Sequence, residues 1–185
     1  PALWAYAGDA YKGVRAYSLD RDGAIWAQNH MVSMSGLYGI VRPFDLIAEY
    51  RLEMKSRLSV AGNDDIYSFW NKQLADYVVQ HSGGVVCNLA SREYSRPVTD
   101  HLPASIRLIT PIFYDNRPSG LVGRAPIYNK MMRGVLARWM IDHRVDKPED
   151  ILNFSGHGYV YDASRSTDNS PAFLRPKMEP LIFET

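Results

Sequence analysis

The sequence predicts a single domain of the α+β class, and three observations support that prediction. First, 46% of the 185 residues are hydrophobic and 12% are aromatic, which is enough to bury one ordinary core and too much for a disordered chain. Second, segments with apolar residues at helical spacing are mixed with short apolar runs typical of buried strands. Third, there is no internal repeat, and helices and strands do not alternate as a parallel α/β fold requires.

The first elements are a strand and a helix. Residues 2–6 form an apolar run that ends at Gly8, and they predict a short strand. From residue 24 to 34 bulky side chains recur at helical spacing, and Asp20 and Asp22 precede them as helix-capping carboxylates. We therefore expect a helix over residues 24–34.

The next segment predicts a reversal between two helices. Residues 35–39, SGLYG, contain two glycines, which supply the positive backbone angles of a sharp turn. Pro43 suits the first turn of a second helix, on which Phe44 and Ile47 share one face. Together these residues predict a helix-hairpin-helix element.

The middle of the chain predicts a strand followed by a long helix. Apolar and charged residues alternate over residues 50–55, which is typical of a strand with one charged face. Asn63 or Asp64 is placed to cap a helix that should end at the Gly83-Gly84 pair.

Two strands and a basic helix come next. Residues 85–89 and 106–114 predict buried strands, and Pro111 places the far half of the second at a sheet edge. Residues 128–144 predict a helix with a bulky apolar side and a basic side, on which lie Lys130, Arg133 and Arg144.

The C-terminal part of the sequence predicts the end of the domain. Residues 153–162 predict a Gly-rich turn and a final strand. Residues 163–185 are rich in Ser, Pro and Asp and predict a poorly ordered tail. The expected boundaries are therefore a domain over 1–162 and a tail over 163–185.

Charge and composition restrict the classes of function. The formal net charge of +1 means that affinity for an anionic partner must come from local clusters of basic residues. The single cysteine, Cys87, lies in an apolar run, which favours a buried thiol in a reduced compartment over a disulfide or a zinc site. No apolar run approaches the ~20 residues of a membrane span, and the five histidines lack the spacing of metal ligands. We expect a soluble, cytoplasmic protein without a metal or another cofactor.

Five blocks carry a resemblance to a known family. They are GDAYKG, SGLYGIVRPFDLIAEYRLEM, IYSFW, NLASREY and NKMMRG. In this order they resemble the signature blocks of the YaaA family of peroxide-stress proteins, and they span most of residues 3–162. The family has a further segment before the block that begins at Gly8, so we expect this chain to be N-terminally short. Ala7 and Arg92 also depart from the residues that are usual in the family.

The resemblance implies a fold and a function. It implies a cytoplasmic bacterial protein that limits oxidative DNA damage by restraining free iron in the cell. It also implies a compact α+β fold with a positively charged cleft, and a helix-hairpin-helix element that binds DNA without marked sequence preference.

One hypothesis for the site is a DNA interface. Backbone amides near the hairpin and the N-terminus of the helix opened by Pro43 would bind a phosphate, with the charge of Arg42 beside them. The alternatives are that the glycines form only a tight turn, and that the basic residues lie on solvated faces. The candidate nucleic-acid-binding residues are Ser35, Gly36, Tyr38, Gly39, Arg42, Arg51, Lys130 and Arg133.

A second hypothesis is an enzyme that acts in the same cleft on a nucleotide, damaged DNA or another small anionic substrate. Arg51 would bind a phosphate or carboxylate, Glu53 would act as acid or base, and Lys130 would be the amine nucleophile of a lyase. The candidate catalytic residues are Tyr50, Arg51, Glu53, Glu93 and Lys130. No motif in the sequence specifies a reaction, so both hypotheses stay open.

Overall fold

Helices and short strands are mixed along residues 1–116 and 119–176, which are the residues that the computed structural model describes. The α-helices are α1 (Ala2–Ala5), α2 (Asp9–Val14), α3 (Arg21–His30), α4 (Ile66–Trp70), α5 (Gln73–His81), α6 (Arg92–Thr99) and α7 (Pro126–His143). The strands are β1 (Ser33–Ser35), β2 (Gly39–Val41), β3 (Val85–Cys87), β4 (Arg107–Ile109), β5 (Ile112–Asn116), β6 (Val122–Gly123), β7 (Val160–Tyr161) and β8 (Ala172–Arg175). Short 3-10 helices cover Ala16–Ser18, Pro148–Asn153 and Ala163–Arg165.

The described strands form three small sheets. β1 and β2 make an antiparallel hairpin, and β3 pairs with β4 in parallel. The largest sheet has the order β6-β5-β8-β7, in which β5 and β8 are parallel and both outer pairs are antiparallel. The predicted mixed α/β architecture in one domain is thereby confirmed.

The core is built around α7, whose apolar residues pack in two directions. Met132 and Leu136 are fully buried against Phe113 of β5 and Phe173 of β8. Further along α7, Ile141 packs instead with residues of α1, α2 and α3. A third apolar cluster lies beneath the hairpin and is formed by Met54, Ile66, Leu74, Val78 and Val98.

α2 and α7 touch through their backbones. A Cβ atom on Gly134 would lie 1.7 Å from the carbonyl oxygen of Ala10, and one on Gly13 would lie 2.4 Å from a carbonyl oxygen of α7. One turn further on, Nη1 of Arg138 lies 3.4 Å from the carbonyl oxygen of Val14. Glycine is required where the two helices cross, because any side chain would overlap the facing backbone.

The structure does not confirm the predicted helix-hairpin-helix element. The carboxylate of Asp20 accepts a hydrogen bond from the amide of Gly23 at 2.6 Å, which confirms the predicted cap of α3. The helix ends at His30, however, and Met34 already belongs to β1. A three-residue loop, 36–38, then joins β1 to β2. The second helix expected from Pro43 is absent, since the structure assigns residues 42–53, all described, to neither helix nor strand.

The missing helix at Pro43 is explained by a contact with the N-terminal segment. The carbonyl oxygens of Pro43 and Asp45 accept hydrogen bonds from the amides of Leu3 and Ala2, at 3.1 and 2.8 Å. Carbonyls used in this way are not available for a helix that starts at Pro43. The partner segment, 2–6, was predicted as a strand and forms α1 instead, because periodicity cannot separate a short apolar strand from a buried helical turn.

Residues 50–55 keep the predicted alternation without forming a strand. Met54 is fully buried and Leu52 is half-buried, whereas Arg51, Glu53 and Lys55 are exposed. The alternation therefore predicted correctly which side chains are buried. The predicted strand is wrong, because no strand pairs with this described segment.

The long helix expected after residue 63 is two helices. Asn71 has a φ of 44°, which interrupts the helix between α4 and α5. The N-cap residue of α4 is Asp65, whose carboxylate accepts a hydrogen bond from the amide of Ser68 at 2.7 Å. The predicted cap, Asn63 or Asp64, is therefore wrong.

The segment 106–114 contains a break between two sheets. Pro111 lies between β4 and β5, where its missing N–H needs no partner. The adjacent amides of Thr110 and Ile112 donate to the carbonyls of Asn169 and Pro171. Consequently β5 lies between β6 and β8, and the prediction that Pro111 puts it at a sheet edge is wrong.

The structure also differs from the expected tail over residues 163–176. These residues form a 3-10 helix and β8, an internal strand that buries Phe173 and Arg175. The strand predicted within 153–162 is present as β7, but it is followed by β8 in the chain. The remainder of the predicted tail, 177–185, lies outside the described residues.

Candidate functional site

The hairpin amides proposed to face a phosphate have an internal acceptor. The hydroxyl oxygen of Ser35 accepts hydrogen bonds from the amides of Leu37 at 3.2 Å and Tyr38 at 3.0 Å. This is the side-chain-to-backbone pattern that closes Ser/Thr turns. In this geometry the loop holds itself together and does not present these two donors to a ligand.

The two glycines serve the packing of the same turn. Gly39 has a φ of 71°, and a Cβ atom there would lie 2.8 Å from the ring of Trp70. The indole N–H of Trp70 donates to the carbonyl of Gly36 at 3.0 Å. A Cβ on Gly36 would lie 3.0 Å from the carbonyl oxygen of Leu52. Both glycines are thus explained by close packing within a tight turn.

Three hydroxyl groups form a chain beneath the hairpin. The hydroxyl of Tyr50 lies 2.6 Å from that of Ser35 and 3.0 Å from that of Tyr6. Because Ser35 already accepts two amide hydrogens, its own proton is directed to Tyr50. The remaining contact, between Tyr50 and Tyr6, uses one of their two protons. Whichever of them donates, one phenolic proton is left for another acceptor.

Other tyrosines surround this chain. Tyr6 stacks on Tyr11 with ring centroids 4.9 Å apart, and the hydroxyl of Tyr11 donates to Ser33 at 2.7 Å. The ring of Tyr38 meets that of Tyr50 edge-on at 5.4 Å. We call this group the tyrosine cluster, and its members are Tyr6, Tyr11, Tyr38, Tyr50, Ser33 and Ser35.

Two members of the tyrosine cluster, Tyr6 and Tyr11, have raised pKa values. Burial, followed by the hydrogen bond with Tyr50, raises the pKa of Tyr6 well above its usual value. Burial also raises the pKa of Tyr11 to about 12. Tyr6 and Tyr11 are therefore hydrogen-bond donors and not bases at neutral pH.

A charged group lies next to the tyrosine cluster. Nζ of Lys55 is 3.4 Å from Glu53 and 3.3 Å from Glu93, so the lysine joins the two carboxylates. The hydrogen bond with Glu93 and then that with Glu53 raise the pKa of Lys55. Burial and the charge of Glu93 likewise raise the pKa of Tyr94, which places its ring close to this group. Sequence reasoning named the two glutamates and missed Lys55, although it lies on the same alternating charged face as Arg51 and Glu53.

The two arginines that the sequence placed near the hairpin differ in their contacts. Nε and Nη2 of Arg42 donate to the carbonyl of Gln28 in α3, at 3.2 and 2.7 Å. This contact satisfies a carbonyl near the C-terminal end of α3 and ties β2 to that helix. Arg51 is exposed.

A basic surface is formed by the first half of α7 and by Arg124, two residues before the helix begins. Lys130 is exposed, and Arg133, one turn further on, is half-buried with Nη1 donating to the carbonyl of Ala90 at 3.2 Å. Desolvation and the nearby charge of Arg124 lower the pKa of Arg133. The guanidinium of Arg124 lies over the ring of Tyr114, 5.6 Å from its centroid. We call Arg124, Lys130 and Arg133 the basic face of α7.

The basic face of α7 does not extend to the end of the helix. Arg138 pairs with Asp142 at 2.8 Å and donates to the carbonyl of Arg15 at 3.0 Å. Arg144, which the sequence assigned to the basic side, is the C-cap residue with a φ of 51° and contacts Ile141. Both arginines therefore hold the C-terminal half of α7 in place.

Residues 1–116 and 119–176 contain neither a metal-binding group nor a membrane-spanning helix. In those ranges His, Cys, Asp and Glu nowhere gather in a group of three or more that could hold a metal ion. His30, His81 and His143 each stack on an aromatic ring one helical turn earlier, those of Trp26, Tyr77 and Trp139. Every helix in the described ranges is too short or too polar to cross a membrane.

Comparison with known proteins gives a consistent result over nearly the whole chain. A family model described as peroxide stress protein YaaA matches residues 1–165. A UPF0246 protein of Rhizorhabdus wittichii is 38% identical over 181 residues, which cover 96% of this chain and 71% of that protein. A UPF0246 protein of Paracidovorax citrulli is 40% identical, over 94% of this chain and 68% of that protein. A UPF0246 protein of Ruegeria pomeroyi is 38% identical, over 95% of this chain and 70% of that protein.

Proposed function

Because the chain belongs to the peroxide stress protein YaaA family, we propose that it protects DNA during peroxide stress by binding the duplex through its phosphates. Binding of this kind has no marked sequence preference, since phosphate contacts position a protein on DNA without reading bases. The bound protein would help to limit iron-mediated oxidative damage. The proposed contact surface is the basic face of α7.

The observation that carries this proposal is the environment of Arg133. Its guanidinium is half-buried, it donates to a neutral carbonyl, and the charge of Arg124 lies close enough to lower its pKa. Neither contact balances its positive charge. A phosphate oxygen would do so, and guanidinium groups bind phosphates with short, charge-assisted hydrogen bonds.

The start of α7 supports an anion at the same place. Its N-cap, Ala125, supplies no side-chain hydrogen bond, and the first turn contains no acidic residue. The positive end of the helix dipole is therefore not offset by a carboxylate in the first turn. Lys130 adds an exposed ammonium three residues before Arg133, on the neighbouring position of the same face.

This proposal moves the DNA contact away from the hairpin. The amides of Leu37 and Tyr38 and the guanidinium of Arg42 already have acceptors within the protein. Breaking those bonds for a phosphate would leave groups of the turn without partners. On the basic face of α7, Lys130 is exposed.

The test is DNA binding by single variants that remove one charge each. Fluorescence anisotropy with two duplexes of unrelated sequence should show several-fold weaker binding for Arg133→Gln and for Lys130→Gln, equally on both duplexes. Lys147→Gln is the matched control, because Lys147 is exposed beyond the C-terminus of α7, and its affinity should equal that of the wild type. Wild-type affinity in Arg133→Gln would contradict the proposal.

An enzymatic function on a nucleotide or damaged DNA is the second candidate, and the hydroxyl chain favours it. One phenolic proton of Tyr6 or Tyr50 remains to be donated to a substrate oxygen. A phenolic hydroxyl with a proton left to donate is suited to general-acid chemistry on a substrate oxygen.

This second candidate is tested by turnover. Wild-type protein would be incubated with free nucleotides and with intact and abasic oligonucleotides, and product formation would be compared with that of Tyr50→Phe. Tyr17→Phe is the control, because Tyr17 is 85% exposed and lies outside the tyrosine cluster. The enzymatic candidate requires a product that Tyr50→Phe fails to form, and DNA binding without any product would contradict it.

A further inference from the structure

A cavity of about 490 Å³ lies beside β4, away from the tyrosine cluster and the basic face of α7. Its other walls are the 3-10 helix Pro148–Asn153 and residues of the segment 161–171. The lining residues that decide its chemistry are Ile109, Leu152 and Tyr161 on the apolar side and Arg107, Glu149 and Asp168 on the polar side. A volume of this size matches ordinary small-molecule sites.

Arg107 is held in a fixed orientation at this cavity. Its Nη2 donates to the carbonyl of Asp168 at 3.0 Å, and its Nε lies 3.4 Å from Oδ1 of Asn169. Both acceptors belong to a turn that Thr167 and Ser170 close with two backbone hydrogen bonds, of 3.2 and 3.1 Å. The guanidinium is therefore oriented before any ligand arrives, which lowers the entropic cost of binding.

The remaining edge of Arg107 is occupied by a carboxylate. Nη1 donates to Oε1 of Glu149 at 2.9 Å, and this hydrogen bond is the main cause that lowers the pKa of Glu149. The pair is open to solvent, with 39% of the Arg107 side chain and 67% of the Glu149 side chain exposed. Exposed ion pairs of this kind contribute little to stability, so a second carboxylate can displace Glu149.

We propose that this cavity binds a small carboxylic acid with an apolar body. Its carboxylate would replace that of Glu149 on Arg107, and its body would contact Leu152 and Tyr161. Both of these side chains are partly exposed apolar surface in the present structure, at 38% and 37%. Arg107 selects an anion over a cation, because its guanidinium is fixed in place and the contact that Asp168 makes with it uses the backbone carbonyl.

The experiment uses the full chain and benzoate as the probe, followed by amide chemical shifts in NMR. Wild-type protein should show saturable shifts in the residues that line the cavity. Glu149→Gln removes the internal competitor and should tighten benzoate binding roughly two- to fivefold, the range expected from a weak exposed ion pair. Arg107→Gln should weaken it roughly tenfold or more. Asp150→Asn, next in the chain and outside the lining, is the matched control and should behave as the wild type.

Three results would overturn the proposal. The first is the absence of saturable binding in both the wild type and Glu149→Gln, a variant that leaves Arg107 and its turn intact. The second is unchanged benzoate binding in folded Arg107→Gln. The third is preferential binding of benzylammonium, which would mean that the acidic residues select the ligand. None of these results depends on whether the protein binds DNA.

Discussion

The backbone contact between α2 and α7 makes a sharp prediction for Gly134→Ala. The new methyl carbon would lie 1.7 Å from the carbonyl oxygen of Ala10, so the contact must open by roughly as much again to reach ordinary van der Waals separation. The obstructing atom belongs to a helix backbone and cannot rotate away. The substitution therefore has to move one helix relative to the other.

Two opposing effects set the size of the change. Overpacking a close contact costs typically 1–3 kcal/mol, and a backbone obstacle favours the upper end of that range. Alanine is better than glycine in a helix interior by about 1 kcal/mol. We therefore expect Gly134→Ala to lower the free energy of unfolding by about 2 kcal/mol, which corresponds to a fall in Tm of roughly 4–8 °C for a protein of this size.

Urea unfolding of matched glycine variants measures this prediction. The control is Gly23→Ala in α3, where the nearest atom is the Asp20 carboxylate oxygen that caps this helix, 2.9 Å away at the end of a side chain, so the cost is limited to weakening the cap, about 1 kcal/mol. For the control, the gain in helix propensity should offset most of the cost. If Gly134→Ala were as stable as the wild type or more stable, the helices would not touch as described.

Three other predictions concern particular side chains. Burial raises the pKa of the Cys87 thiol to about 12 although the residue is partly exposed, so the native protein should react with Ellman's reagent much more slowly than the protein unfolded in urea, and equally fast reaction of the two would contradict this. Ser35→Ala leaves two amides without their acceptor and should lower the free energy of unfolding by about 1–3 kcal/mol in the same urea assay, whereas Ser59→Ala, at an exposed site, should change it little. The folded-state pKa of Tyr11 is raised to about 12, so the folded protein holds this proton more tightly than the unfolded chain, and stability should fall as pH rises from about 10 to about 12. Tyr11→Phe should reduce that fall, and an identical pH profile of stability in the variant would contradict the pKa assignment.

The elements that could be predicted from the sequence depend on residues that are close together in the chain. Asp20 caps α3 through the amide three residues later, and β3 is an apolar run that begins directly after two glycines. The helix of residues 126–143 was expected from its own periodicity, within two residues at its start. In each case the physical cause lies within one or two turns of the chain.

The elements that were missed depend on distant partners. The helix expected at Pro43 fails because its carbonyl binds the amide of Leu3, and nothing local to Pro43 indicates that contact. The same holds for the site, since Tyr6 reaches Tyr50 across 44 positions and Lys55 reaches Glu93 across 38. One local signal was available and not used. A serine two and three residues before the loop amides of Leu37 and Tyr38 is typical of a turn that closes on its own hydroxyl.

The salt dependence of DNA affinity measures how many phosphates the basic face of α7 contacts. If Arg124, Lys130 and Arg133 each neutralise one phosphate, log Kd plotted against log salt for the wild type should change by about 2.7 per decade, because each contact contributes about 0.9. The double variant Lys130→Gln/Arg133→Gln should lower that slope by about 1.8, while Lys147→Gln leaves it unchanged. A wild-type slope near zero, or a double variant with the wild-type slope, would contradict the assignment of DNA binding to the basic face of α7.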